Sequence, residues 1–146
     1  MLRDVRGRYA VAAAMLLALA LAQPAQAAPD LMKPNPVVQK QLDEALLRQD
    51  AMVAQALDGL EPQRPGVRDL YFIGVAGWGD QDVFRLEVRA VRSLFETAFD
   101  AKDRAVSLVN HRATMQQAPL ATHETIEATI MGVAAKMDPE EDVLVV

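Results

Sequence analysis

An α/β fold is predicted, with an open parallel sheet, helices on both faces, the order β-α-β-α-β and a helix preceding it. Three observations predict it. Short apolar runs rich in β-branched and aromatic residues stand at 70–75, 105–109 and 143–146. Between them lie two stretches whose apolar residues recur at helical spacing. The first run also lacks polar alternation, which marks a strand covered on both faces. Alternating strands and helices imply right-handed crossovers and therefore a parallel sheet.

The elements follow in order. Arg3, Arg6 and Arg8 precede an apolar run of 14 residues from Tyr9 to Ala22, then Gln23, Pro24 and the small-residue sequence Ala25, Gln26, Ala27. These are the three regions of a secretory signal peptide, with cleavage expected after Ala27. The run is short against the roughly 20 residues of a spanning helix, so no stable membrane anchor is expected. The expected location is the periplasm or the cell exterior. Residues 28–67 are read as an N-terminal helix and a Pro-rich linker. Val38, Leu42, Ala45, Leu46, Val53 and Leu57 form the helix's apolar stripe and Gly59 ends it. Pro62, Pro65 and Gly66 mark the linker.

The first strand is bounded by Asp69 before it and by Gly77 and Gly79 after it. Asp80 or Asp82 caps a helix whose buried stripe is expected to be Phe84, Val88, Val91, Phe95 and Ala98. Arg85, Arg89, Arg92 and Glu96 form its solvent face, with Arg92 and Glu96 an i,i+4 pair. The second strand leads into a polar loop, 110–119. Thr122 is the expected N-cap of the next helix, which presents Ile126, Ile130, Val133 and Met137 to the core and ends at Asp138 and Pro139.

Composition bounds the function. The 146 residues are 51% apolar and 24% charged, with 7 Gly and 8 Pro, which is the composition of one globular domain. Loss of Arg3, Arg6, Arg8 and Asp4 with the signal takes the net charge from −5 to −7, against a nucleic-acid partner. There is no Cys, which excludes disulfides, thiolate metal sites, a lipoprotein anchor and a cysteine nucleophile within these residues. The final residues, Val143 to Val146, are apolar and β-prone, so the reading is of a domain cut within its third strand. Functional groups of open parallel sheets lie beyond the carboxyl ends of the strands. Any catalytic group of that strand is accordingly expected beyond Val146.

The sequence from Asp69 through Tyr71, Gly77, Trp78, Gly79, Gln81, Asp82 and Phe84 resembles the start of the catalytic domain of the C13 peptidases, legumain-like cysteine peptidases of caspase-like fold. Leu108, Val109 and Asn110, the segment Pro119 to Thr122, and Met137 to Leu144 extend the resemblance, which covers about residues 68–146. It implies an exported peptidase with a Cys/His dyad, in which a thiolate attacks a peptide carbonyl with His as acid and base. Neither dyad residue lies in the corresponding part of this chain, so no catalytic residue is assigned and the chain alone is expected to be inactive. Plant and animal legumains carry an Arg two positions before the Gln of the turn, where it helps bind an Asn or Asp side chain. Gly79 stands there here, which puts that preference in doubt.

The candidate substrate-cleft residues are Gly77, Gly79, Asp80, Gln81 and His111, all at the expected carboxyl edge of the sheet. His111 is also readable as a surface loop residue. Gly74, Gly77 and Gly79 are spaced GxxGxG, which departs from the dinucleotide fingerprint, so no cofactor is expected. His123, Glu124 and Glu127 spell HExxE without the second His of a zinc peptidase, so no metal is expected. The expected partner is a peptide or protein substrate, with a second polypeptide as a source of missing strands. The alternative is a non-enzymatic exported α/β binding or interaction module complete at Val146.

Overall fold

The structure, a computed structural model, describes residues 35–146. The signal peptide expected at 1–27 lies outside the described residues. The elements are α1 (Pro36–Leu46), α2 (Gln49–Asp58), β1 (Leu70–Ala76), α3 (Asp82–Ala98), β2 (Ala105–Val109), α4 (His123–Ala134) and β3 (Val143–Val145).

The single N-terminal helix expected from Val38 to Leu57 is two helices, broken at Leu47 and Arg48. Asn35 caps the first by accepting from the Val37 N–H at 2.9 Å, and Pro36 sits where a missing N–H costs nothing. The halves serve separate cores. Ala45 of α1 packs with Met115 and Leu120, whereas Ala56 and Leu57 of α2 pack against the sheet. Gln49 pins the join: its Nε2 donates to the Ala45 carbonyl at 2.8 Å and its Oε1 accepts from the Leu120 N–H at 2.7 Å. A polar residue on the apolar stripe is thereby buried with its amide satisfied at both ends.

The three strands are parallel in the order β2-β1-β3, so β1 is central, as its run of buried residues requires. Phe72 pairs with Ala105 on one side and with Val145 on the other. One face of the sheet carries Tyr71, Ile73, Val106 and Leu108, which join Val133 of α4 and Leu60 in the main core. Ile126, Ile130 and Met137 pack on it from the same side, as their spacing predicts. Thr122 caps α4, and the capping box is closed by Thr125. The helix stops at Ala134, short of Asp138.

The other face is covered by α3. The Phe95 ring stacks on Phe72 with centroids 4.7 Å apart. A Cβ on Gly74 would lie 2.6 Å from the Val88 Cγ1, so glycine lets this helix close on the strand. The expected buried stripe of α3 is not buried as a whole: Val88 and Phe95 are half-buried, whereas Phe84 is 39% and Val91 41% exposed and Ala98 is exposed. Helical periodicity finds the side that meets the sheet, through Val88 and Phe95, but no residue of α3 is fully buried because one face of a three-stranded sheet covers only part of the helix. Arg92 donates to Glu96 at 2.7 Å, as the i,i+4 spacing predicts.

At the amino end of the sheet, Asp69 has a side chain with no exposure and accepts from the Arg64 backbone N–H at 2.6 Å and from Arg64 Nε at 2.8 Å. Arg104 Nε stands 3.4 Å away, outside hydrogen-bond geometry, and its guanidinium also donates to the Pro62 carbonyl. Burial pushes the Asp69 carboxyl up, but Arg64 and Arg104 together hold it below the ordinary carboxylate range. This network ties the Pro-rich linker to the start of β1.

Candidate functional site: a cleft at the carboxyl ends of the strands

The chain leaves β1 toward β2 through α3 on one face, and returns from β2 across β1 to β3 through α4 on the other face. Strand order therefore reverses between β1 and β3, which makes the carboxyl end of β1 a topological switch point, the usual ligand position in open parallel sheets. The Gly77–Asp80 turn leaves from that end. It forms one side of a cleft of about 630 Å³.

Asn110, the first residue after β2, fixes the turn. Its Nδ2 donates to the Gly77 carbonyl at 3.1 Å and the Ala121 carbonyl at 3.0 Å, and its Oδ1 accepts from the Ala121 N–H at 2.8 Å. One amide thus joins the turn after β1, the end of β2 and the approach to α4. A Cβ on Gly79 would sit 2.5 Å from the Asn110 carbonyl oxygen, so the turn can lie this close only with glycine there. Gly77 is different, because a Cβ on it would meet nothing within 4 Å.

Of the residues expected in the cleft, Gly77, Gly79, Asp80 and His111 line it together. Gln81 does not. It occupies the position before α3 in extended backbone, makes no side-chain cap and is exposed, so it belongs to the start of the helix. The His111 side chain is 10% exposed; its Nδ1 accepts from the Ala113 N–H at 3.2 Å and its Nε2 faces Asp82 Oδ1 at 3.2 Å. With Nδ1 accepting, the ring proton is assigned to Nε2, which stands beside the carboxylate outside hydrogen-bond geometry. The ring thus stands between the end of β2 and the start of α3, with one nitrogen hydrogen-bonded. Asp82 accepts from Arg85 Nη2 at 2.7 Å. Arg85, by its hydrogen bond and its charge, and Arg112 after it, hold the Asp82 carboxyl below its ordinary range.

The opposite wall comes from α1. Val38, Leu42 and Leu46 face the cleft, with Met115 and Leu120 beneath them, and Trp78 and Arg112 complete the lining. Sequence reasoning missed these residues. The sole Trp within a glycine-rich turn was a signal for Trp78, and the position directly after a strand was one for Asn110. Nothing in the sequence placed α1 at the carboxyl edge. His123 Nε2 and Glu127 Oε2, from the HExxE motif, lie 4.0 Å apart on an exposed part of α4 outside this cleft. Among the described residues no group of three or more His, Cys, Asp or Glu side chains is placed to hold a metal ion, and no helix is long and apolar enough to cross a membrane. No family model, curated protein or solved structure matches the chain.

Proposed function

We propose that the chain is part of an exported cysteine peptidase of the legumain-like C13 kind, for which it supplies a wall of the substrate cleft. The observation that carries this reading is the cleft at the carboxyl ends of β1 and β2. Its turn consists of the residues that bear the family resemblance, Gly77 to Asp80, and leaves the carboxyl end of β1, the strand with which β3 pairs. A Cys thiolate there would attack the peptide carbonyl, and a His would take up and return the proton. With no Cys among the 146 residues, the thiolate would come from polypeptide outside them, either a continuation of the chain or a second polypeptide. The chain by itself is inactive on this reading.

The test is to read the codons that follow Val146, express the whole gene product and assay peptide hydrolysis before and after thiol alkylation. Hydrolysis abolished by iodoacetamide is expected, together with a mature N-terminus at Ala28. A folded gene product, with its co-purifying partners, that contains no Cys or shows no alkylation-sensitive hydrolysis overturns the reading. A second reading, a non-enzymatic exported binding module, draws on one observation: residues of this chain alone form the cleft.

A further inference from the structure

The Gly77–Asp80 turn carries two features that the fold itself does not use. Among the described residues, none of the backbone N–H groups of Gly77, Trp78, Gly79 and Asp80 donates a hydrogen bond to the protein, and the turn, which joins β1 to α3, is open to solvent at Gly77, Trp78 and Asp80. Gly77 has neither a left-handed backbone nor a neighbour within reach of a Cβ, so internal packing does not explain a glycine there. Unpaired main-chain donors beside a residue without a side chain are what an extended peptide needs in order to approach and pair with a loop.

Across the cleft the chemistry is apolar. Val38 and Leu46 of α1 are 37% and 47% exposed, and Leu42, Met115 and Leu120 continue their surface inward. Trp78 is 57% exposed on the facing side. The nearest charges, Asp80 and Arg112, are opposite in sign and leave the cleft with no net preference for an ionised side chain.

We propose that this cleft is a subsite for one large apolar side chain, of leucine or phenylalanine type, on a peptide bound in extended form, with α1 as the wall that selects it. The inference rests on the peptide-cleft reading above and adds the substrate class. It assigns a selecting role to α1, which lies outside the segment bearing the family resemblance.

Trp78 is the only Trp in the chain, so its fluorescence reports this cleft alone. The 146-residue chain is titrated with acetylated, amidated tripeptides Ala-Ala-X, where X is Leu, Phe, Asn, Glu or Lys. Saturable blue shifts are expected with Leu and Phe, and affinities at least about tenfold weaker with Asn, Glu and Lys, the factor that about 1.4 kcal/mol of apolar burial supplies. Val38→Asp and Leu46→Asp alter exposed positions and are expected to remove the preference while circular dichroism is unchanged. Gly77→Ala, whose Cβ meets nothing within 4 Å, is expected to weaken every peptide. The proposal is overturned if the five peptides bind alike, if none perturbs Trp78, or if the apolar preference survives both α1 substitutions. None of these readouts needs a thiol. Apolar-selective binding without hydrolysis by the whole gene product therefore overturns the peptidase reading alone, and hydrolysis without the preference overturns the subsite alone.

Discussion

Replacing Asp69 by Asn tests the network that joins the linker to the central strand. The carboxylate has no exposure, and the Arg104 side chain that faces it is 7% exposed, so neutralising Asp69 leaves a buried guanidinium without its counter-charge. Breaking a buried pair from one side costs about 3–5 kcal/mol. Asn keeps the shape and an oxygen for the Arg64 backbone N–H, and Arg104 retains its bond to the Pro62 carbonyl, so the lower end, about 3 kcal/mol, is expected. Against a total of about 5–15 kcal/mol for a domain, that is a large fraction. In urea, with slopes of about 1–3 kcal/mol per molar, the midpoint is expected to fall by roughly 1–3 M without a change in slope. Adding Arg104→Met should recover part of the loss, because the orphaned charge is then removed. A loss below about 1 kcal/mol, the range of exposed pairs, would refute the argument, as would a double variant less stable than the sum of the two single changes.

The same group sets an acid limit. Asp69 titrates below its unfolded value of about 3.9, so its stabilisation is full above that pH and is lost as pH falls through the lower, folded value. Urea midpoints of the natural chain and Asp69→Asn should therefore converge as pH drops below about 4, and a gap that stays constant down to pH 2 would contradict the assignment. In the turn, Gly79→Ala should destabilise by about 1–3 kcal/mol, since its Cβ would collide with the Asn110 carbonyl oxygen, whereas Gly77→Ala should change stability by no more than about 0.5 kcal/mol. Thermal unfolding of the two variants side by side checks the contrast.

Much of the architecture was legible because it is written in local pattern. The three apolar runs became the three strands, Thr122 became the N-cap of α4, and the stripe of Ile126, Ile130 and Val133 faces the sheet. Spacing alone could not find the break at Leu47 and Arg48, because a continuous helical stripe does not reveal that its two halves pack on different clusters. Nor could it separate the glycines of the turn, since the contrast between Gly77 and Gly79 depends on the end of a strand 31 residues on in the chain.

Strand and helix identity, and with them the parallel α/β class, were determined by the sequence itself, because periodicity and caps act over a few residues. Strand order, the burial of Asp69 between two arginines, the placement of His111 beside Asp82 and the presence of α1 on the cleft were decided only by tertiary structure. Each of these joins segments far apart in the chain, and side-chain pattern carries no information about which distant surface a given face will meet.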